Sequence, residues 1–202
     1  MIVLVRHGQS ALNAAGRLAG RIETPLTELG VAQAQAVATA VRRMGEPDRV
    51  VASPLARAQD TAAAFGVAVE TDERWIELDY GEYDGSPLAE VPPELWQEWR
   101  TDASFAPPGG ESLAAVGARV RQACDDLAAD RPELTVVVSH VSPIKAAVAW
   151  ALGVDDRVAW RTFLAPGSLT CIEIDARGPV LHAFNVTAHL PDVGQATASQ
   201  AT

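Results

Sequence analysis

The residues best suited to chemistry in this sequence stand directly after short apolar runs. His7 follows the run at residues 2–5 and is flanked by Arg6 and Gly8, and His140 follows a second run at residues 135–139. An unbroken β-branched run predicts a strand buried on both faces, and open α/β sheets bind their ligands where such strands end. A histidine after a strand is more often a structural, hydrogen-bonded residue, so the accompanying residues decide between the two interpretations.

Two arginines and two predicted helix starts accompany these histidines. Arg57 lies in the first turn of the helix predicted after a strand at residues 49–52, and Arg6 precedes the first histidine. Arginine forks match phosphate oxygens, and helix N-termini near Pro54 and Pro143 attract anions. A neutral imidazole is a competent nucleophile toward phosphorus. The set favours phosphoryl chemistry over carboxylate binding; an Arg57 that only pairs with acids on a helix surface is the alternative.

A leaving alkoxide needs a proton, which predicts a carboxyl group facing the same pocket. Glu77, Asp79 and Glu82 stand in the irregular stretch after the third predicted strand, and composition does not choose among them. The sequence has no glycine-rich nucleotide loop, no cluster of aspartates and no His-x-x-x-His pair, so we expect neither a metal nor a cofactor. His182 and His189 are interpreted as structural or solvated.

Capping signals predict where the helices begin and end. Thr27 is the expected cap of a long helix, and Ser53 and Ser142 are each followed by a proline at which a helix is expected to begin. Ser112 is the expected cap of a further helix, which Pro132 should end.

The order of the predicted elements indicates the fold class. Strands alternate with helices four times along the chain, and two final strands follow. This order predicts an α/β fold, a three-layer α/β/α sandwich whose mostly parallel central sheet has helices on both faces. The predicted strands lie at residues 2–5, 49–52, 67–70, 135–139, 169–174 and 180–185.

Length and composition indicate one globular domain over residues 1–190, with a disordered tail over residues 191–202. The formal net charge of −10 disfavours nucleic acid or an anionic membrane as partner. The first residues lack a basic stretch and a long apolar run, so we expect no signal peptide, no membrane span and a cytoplasmic location. Cys124 and Cys171 are interpreted as buried free thiols.

Four sequence signatures resemble those of the histidine phosphatase superfamily, the phosphoglycerate mutase-like proteins. They span nearly the whole chain up to His189, and a Gly-Gly-Glu-Ser segment at residues 109–112 also fits the family. The four are Arg-His-Gly-Gln-Ser at residues 6–10 with Asn13, Ser-Pro-Leu-Ala-Arg-Ala-Gln-Asp-Thr-Ala at residues 53–62, Glu77 followed by Gly81 and Gly85, and Val-Ser-His at residues 138–140 opening a helix.

The resemblance implies roles for individual residues. His7 would be the phosphorylated nucleophile, and Glu77, chosen over Glu82 by the position of Gly81, would be the general acid and then the base. A small phosphorylated metabolite would be the partner, while the sequence leaves open whether the protein is a monomer or a homodimer. The residues implied to hold the phosphoryl group or substrate are Arg6, Gly8, Gln9, Ser10, Asn13, Arg57, His140 and Val141.

Departures from the mutases of this family favour the phosphatase branch. Residues 77–80 read Glu-Leu-Asp-Tyr where the mutases have Glu-Arg-His-Tyr, and Arg100 is the one cation after Arg74 in the irregular insertion at residues 71–111. A mutase must retain a doubly anionic intermediate, so a shortage of cations favours hydrolysis. A phosphoglycerate mutase is the alternative, and a non-catalytic phospholigand-binding protein is a more distant one.

The stretch at residues 138–145 is similar to that of actinobacterial acid phosphatases related to α-ribazole phosphatases. It contains Lys145, the one lysine of the chain, in the first turn of the predicted helix, where it either contacts substrate or is solvated. In the insertion, Trp96, Trp99 and Phe105 form either an apolar lid over an organic leaving group or the core of the insertion itself.

Overall fold

Short, mostly β-branched runs form one mixed sheet at the centre of the molecule. A computed structural model describes residues 1–130 and 133–190. The strands are β1 (Ile2–Arg6), β2 (Arg49–Ala52), β3 (Val69–Thr71), β4 (Thr135–Ser139), β5 (Leu169–Asp175) and β6 (Gly178–Val186). Their order across the sheet is β3-β2-β4-β1-β5-β6, with parallel pairing from β3 to β1 and antiparallel pairing of β5 and β6. The predicted mostly parallel sheet is confirmed.

Helices cover both faces of the sheet, which confirms the three-layer sandwich. The helices are α1 (Ala11–Ala14), α2 (Glu28–Arg42), α3 (Ala56–Ala63), α4 (Pro93–Thr101), α5 (Leu113–Asp130) and α6 (Val141–Leu152), with 3₁₀ turns at Glu73–Trp75, Gly81–Tyr83, Leu88–Glu90 and Asp156–Arg161. None of the helices in the described part of the chain is long and apolar enough to cross a membrane.

Strand β1 is apolar on both faces because each face packs against a different pair of helices. Ile2 and Leu4 belong to the core cluster shared with α5 and α6, whereas Val3 and Val5 belong to the cluster shared with α2 and α3. Burying one such side chain stabilises the fold by roughly 1.5–3 kcal/mol. A strand with two buried faces therefore cannot alternate apolar with polar residues, as the sequence pattern indicates.

The predicted start of α2 is confirmed, and those of α3 and α6 are wrong. Thr27 caps α2, since its hydroxyl accepts from the Gly30 N–H at 3.1 Å. Helix α3 begins at Ala56 rather than at Pro54, and its first N–H donates to the Glu23 carboxylate at 3.0 Å.

Helix α6 begins at Val141, before the predicted cap Ser142, and its first two N–H groups donate to the Glu77 carboxylate. In both α3 and α6, a carboxylate from a distant segment thus replaces the local cap.

Several remaining predictions can be placed against the described residues. The buried free state of Cys124 and Cys171 is confirmed. The helix end at Pro132 and the tail at residues 191–202 lie outside the described residues. The extent of the single domain, residues 1–190, stays a prediction.

Candidate active site

The two histidines meet because they follow neighbouring parallel strands. In the pairing of β1 with β4, Arg6 lies opposite Ser139, so the next residue of each strand is a histidine at the same edge of the sheet. The His7 N–H donates to the Ser139 carbonyl at 3.0 Å, and the two imidazole rings lie edge to face with centroids 5.0 Å apart. The register of β1 against β4 therefore places the two histidines side by side.

One nitrogen of His7 is occupied and the other faces a guanidinium. Nδ1 lies 2.7 Å from the Gly8 carbonyl oxygen, which assigns the proton to Nδ1 and leaves a lone pair on Nε2. Nε of Arg57 donates to that Nε2 at 3.3 Å. Burial, followed by the charges of Arg57 and Arg6, lowers the pKa of His7 well below its usual value. His7 is therefore a neutral imidazole at physiological pH.

Arg57 is fully buried, and no carboxylate of residues 1–130 or 133–190 forms an ion pair with its guanidinium. Its Nη1 and Nη2 donate to the Ile22 and Gly20 carbonyls at 2.9 and 2.6 Å, so backbone oxygens of the loop before α2 orient the group. Burial lowers the pKa of Arg57. A cation that is held by neutral carbonyls retains its full charge for an anion that enters the pocket.

Arg6 and His140 carry polar atoms that have no partner within the described residues. Arg6 Nη1 donates to the Leu164 carbonyl, and its Nε is buried and unpartnered. Burial lowers the pKa of Arg6 to about 10. His140 Nε2 lies 2.7 Å from the Ser53 hydroxyl, whereas its Nδ1 is buried and unpartnered.

Burial and the nearby charges lower the pKa of His140 well below its usual value.

Glu77 lines the same cavity and is fixed by backbone N–H groups. Its Oε2 accepts from Val141 at 3.1 Å, and its Oε1 accepts from Ser142 and Leu78 at 3.1 and 2.8 Å. Val141, implied to bind substrate, thus gives its N–H to Glu77. Of the three candidate acids, Glu77 is the one on the cavity wall; Asp79 pairs with Arg21 at 3.5 Å, and Glu82 is exposed.

An ion-pair network behind Glu77 was missed by the sequence reasoning. Arg21 Nε and Arg119 Nη2 donate to the Glu77 carbonyl at 3.3 and 3.4 Å. The Glu111 carboxylate bridges both arginines, at 3.0 Å from Arg21 and 2.9 Å from Arg119. The signal available in the sequence was the Gly-Gly-Glu-Ser segment that contains Glu111.

The loop after His7 has a mainly structural part. Gly8 packs against Gly30 of α2 so closely that a Cβ on Gly8 would lie 2.2 Å from the Gly30 carbonyl oxygen. The backbone N–H of Gln9 donates to Gln33, and Ser10 and Asn13 form a reciprocal capping box on α1. Asn13 lines the cavity; Gly8, Gln9 and Ser10 are not on its wall.

The cavity has a volume of about 1490 Å³ and extends from His7 to the insertion. Trp99 is 1% exposed and forms the core of the insertion together with Phe105, which packs against it at 6.2 Å. Trp96 and Trp99 also line the cavity, so the tryptophans belong both to the core of the insertion and to the apolar wall of the cavity.

Cations reach the cavity from segments outside the insertion. Arg17, Lys145, Arg157 and Arg161 line it together with Arg100 of the insertion. A cation count restricted to the insertion therefore understated the positive charge available to substrate. The number of cations in the insertion is therefore not an argument for a phosphatase over a mutase.

The other two histidines have partners outside this constellation. His182 pairs with Glu173 at 2.9 Å, and His189 Nε2 lies 2.9 Å from the Gly167 carbonyl. Within residues 1–130 and 133–190, no group of three or more histidine, cysteine, aspartate or glutamate side chains has the arrangement of a metal site.

Curated relatives are phosphoglycerate mutase-like proteins and longer mycobacterial proteins. The chain is 40% identical to the bifunctional protein Rv2228c of Mycobacterium tuberculosis over 185 residues, which cover 88% of this chain and 51% of that protein. It thus spans about half the length of the first curated relatives that it matches. It is 33% identical to the probable phosphoglycerate mutase GpmB of Yersinia pestis, over 94% of each chain.

Solved phosphatases share the fold and the length of this chain. The mycobacterial glucosyl-3-phosphoglycerate phosphatase Rv2419c, in complex with VO3, has a TM-score of 0.84 and 32% identity, over 92% of this chain and 98% of that one. A putative α-ribazole-5′-P phosphatase of Escherichia coli has a TM-score of 0.80 and 27% identity, over 92% and 95%.

The resemblance predicted from the four sequence signatures is thereby confirmed. Residues 2–187 match the Histidine phosphatase superfamily (branch 1), and the chain belongs to this family.

Proposed function

We propose that the protein hydrolyses a small phosphomonoester through a phosphohistidine on His7, with Glu77 as general acid and base and without a metal. The observation that carries the proposal is the environment of His7 Nε2. Its neighbour Nδ1 is bound to the Gly8 carbonyl, and the buried guanidinium of Arg57 lies 3.3 Å from Nε2. A neutral nucleophile beside a fixed cation suits attack on a phosphoryl dianion.

In the first step, Nε2 of His7 attacks phosphorus, and the N–P bond forms while the bond to the alcohol oxygen breaks. Arg6, Arg57 and Asn13 neutralise or bind the phosphoryl oxygens, as this charge-dispersed transition state requires. The unpartnered Nδ1 of His140 gains a phosphoryl oxygen as its hydrogen-bond partner. The dianion raises the pKa of His140, so this histidine becomes a better donor once substrate is bound. Glu77, in its protonated form, gives its proton to the leaving alkoxide.

In the second step, the Glu77 carboxylate takes a proton from water, whose oxygen attacks phosphorus. The N–P bond breaks, its electron pair returns to Nε2, and inorganic phosphate leaves. The three backbone N–H groups on Glu77 keep the carboxyl oriented through both steps. Similarity to solved phosphatases supports water as the acceptor, and similarity to GpmB makes a second hydroxyl the competing acceptor.

The test is hydrolysis of p-nitrophenyl phosphate in EDTA by the wild type, His7→Ala and His182→Ala. We expect EDTA-resistant turnover in the wild type and a loss on the order of 10⁴-fold or more in His7→Ala, as for other covalent nucleophiles. His182→Ala removes an exposed histidine of β6 and should retain wild-type turnover. Denaturation in alkaline SDS during turnover with a ³²P-labelled substrate, conditions in which the N–P bond of phosphohistidine survives, should leave label on the wild type and none on His7→Ala.

Three outcomes would contradict parts of the proposal. No hydrolysis by the wild type from pH 4 to pH 9 would favour a phospholigand-binding protein. Activity lost in EDTA would exclude the metal-free mechanism. Conversion of 3-phosphoglycerate to 2-phosphoglycerate without phosphate release would identify a mutase.

A further inference from the structure

The cavity wall is positively charged although the chain is strongly acidic. The protein carries a formal net charge of −10, yet the carboxylates among the described residues that line the cavity are Glu77 and Asp155 alone. Arginine and lysine side chains outnumber them on the same wall. Arg6 and Arg57 suffice to bracket one phosphoryl group beside His7. The other cations therefore require a separate explanation.

These other cations fall into two sets. Arg17 donates to the Gly85 carbonyl at 2.7 Å, and Arg157 forms an ion pair with Asp155 at 2.8 Å. No described carboxylate pairs with Arg17, Lys145, Arg100 or Arg161. Of these four, Lys145, Arg100 and Arg161 form the second set, because they lie on or against the 3₁₀ turn at Asp156–Arg161 and its contacting helix α4, whereas Arg17 lies after α1 and donates to residue 85. An unpaired cation on a cavity wall is available to an anionic ligand, whereas a paired one is already neutralised.

Lys145 is the most constrained member of the second set. Its ammonium is partly buried and donates to the Ala159 carbonyl at 2.8 Å. Burial, with the charge of Arg6 adding to it, lowers the pKa of Lys145 to about 8. Holding a buried ammonium next to a neutral carbonyl costs free energy that an incoming anion would recover.

Arg100 and Arg161 belong to elements that touch through their tryptophans. Trp96 lies one helical turn before Arg100 on α4, so the two residues share a face of that helix. The Trp96 ring contacts Trp160 with centroids 6.0 Å apart, and Arg161 follows Trp160 in the 3₁₀ turn. The same turn supplies the Ala159 carbonyl that holds Lys145. The three cations thus line one cavity from elements that contact one another, namely α4, α6 and the 3₁₀ turn.

We propose that Lys145, Arg100 and Arg161 form a second anion subsite, which binds a carboxylate or a second phosphate carried by the alcohol part of the substrate. The proposal rests on the proposed phosphatase function and names its substrate class: phosphomonoesters of hydroxy acids or of phosphorylated alcohols. Trp96 and Phe163, which is 58% exposed on the cavity wall, contact the carbon skeleton between the two anions.

The decisive measurement compares two esters that differ in one group. 3-Phosphoglycerate has a carboxylate where glycerol 3-phosphate has a hydroxymethyl group. We expect the wild-type kcat/KM, measured as phosphate release, to be about tenfold or more higher for the acid, which is the usual value of a charge-assisted hydrogen bond. A second pair, propane-1,3-diol bisphosphate and 3-hydroxypropyl phosphate, distinguishes a phosphate ligand from a carboxylate ligand.

Charge-neutralising variants identify which residues cause the preference for the acid over the neutral ester. Lys145→Gln and Arg161→Gln should each lower the acid-to-neutral ratio by about fivefold or more, mainly by raising KM for the acid. Arg157→Gln is the matched control, because Arg157 lines the same cavity but is already paired with Asp155. Its ratio should stay within about twofold of the wild type. Equal kcat/KM for both members of both pairs, or ratios that Lys145→Gln and Arg161→Gln leave unchanged, would overturn the subsite.

A binding measurement separates this proposal from the catalytic one. Lys145 is the one lysine of the chain, so it is the one lysine side chain that an amine-directed acetylating reagent can modify at pH 8. In His7→Ala protein, 3-phosphoglycerate should protect Lys145 at lower concentration than glycerol 3-phosphate, as read from the Lys145 peptide by mass spectrometry. Equal protection would overturn the subsite. Selective protection without wild-type hydrolysis of any ester would instead retain the subsite and reject the phosphatase.

Discussion

On the cavity wall, His7 and Arg57 are buried and held by hydrogen bonds, with the buried His140 beside His7, and we call these residues the buried end. Arg100, Arg161 and Phe163 on the same wall are exposed, and we call them the exposed end. His7 and His140 directly follow strands β1 and β4, and Arg57 lies in the first turn of α3. All three side chains are oriented by backbone carbonyls or a hydroxyl. The exposed ones come from the insertion and from the turn after α6. The two ends therefore differ in how strongly the fold fixes them.

This difference indicates that the two ends have different roles in the reaction. Groups that must meet a transition state within tenths of an ångström are fixed by the sheet and by backbone hydrogen bonds. Groups that recognise the alcohol part are free to adjust. A substitution at the buried end should change both chemistry and stability, whereas one at the exposed end should change substrate preference.

Glu77→Gln tests the buried end most severely. Glutamine keeps one acceptor for the N-terminus of α6 but cannot give a proton, so kcat/KM for alkyl phosphates should fall about 10²–10⁴-fold. The loss for p-nitrophenyl phosphate should be about tenfold or less, since that leaving group needs little protonation. Equal losses on glycerol 3-phosphate and p-nitrophenyl phosphate would contradict the acid assignment.

The cost of burying two neutral histidines should appear in the pH dependence of stability. The pKa values of His7 and His140 are lowered well below 6.5 in the folded protein, so the unfolded chain binds more protons as pH falls below 6.5. Each histidine then removes about 1.4 kcal/mol from the free energy of unfolding per pH unit, a tenfold change in the equilibrium constant.

Urea denaturation of the wild type and His140→Gln between pH 7.5 and pH 5.5 measures this contribution. The variant is less stable at pH 7.5, because it loses the contact with Ser53, but its stability should decline less steeply with falling pH. Parallel curves for the two proteins would contradict the burial argument.

Glu111→Gln tests whether the network behind Glu77 positions the acid. Weakening the bridge between Arg21 and Arg119 should lower kcat for alkyl phosphates by about fivefold and leave KM nearly unchanged, because a misplaced acid slows the step that it serves. The loss should be smaller for p-nitrophenyl phosphate. Glu70→Gln, which removes an acid paired with Arg49, is the control and should retain wild-type kinetics.

Additivity provides the check on this interpretation. If Glu111 acts through Glu77, adding Glu111→Gln to Glu77→Gln should cost little further kcat. Fully additive losses would show that Glu111 supports the fold rather than the acid.

The sheet and the histidine pair could be predicted because their signals are local. The apolar run at residues 2–5 has the composition of a strand buried on both faces, and the polar residues that end such runs converge when the strands are parallel. Arg57 followed from its place in the first turn of α3. The position of each of these residues in the fold can be predicted from the sequence immediately around it.

The helix starts and the network behind the acid could not be predicted for the opposite reason. Glu23 caps α3 and Glu77 caps α6, each from a segment distant in the sequence. The sequence near Ala56 and Val141 gives no indication of these carboxylates. Glu111 likewise meets Arg21 across 90 residues of chain. Such contacts exist only once the sheet has formed.

The contact of Gly8 with Gly30 has a consequence for how this protein tolerates mutation. A Cβ on Gly8 would overlap the Gly30 carbonyl, and a Cβ on Gly30 would lie 2.1 Å from the Gln9 carbonyl oxygen. Neither position can accept alanine unless the backbone of the other segment moves. The two glycines therefore constrain each other, and a variant at either one requires α2 and the loop that follows His7 to move apart. Laboratory evolution of a new substrate preference would have to leave this pair untouched and vary the exposed end of the cavity instead.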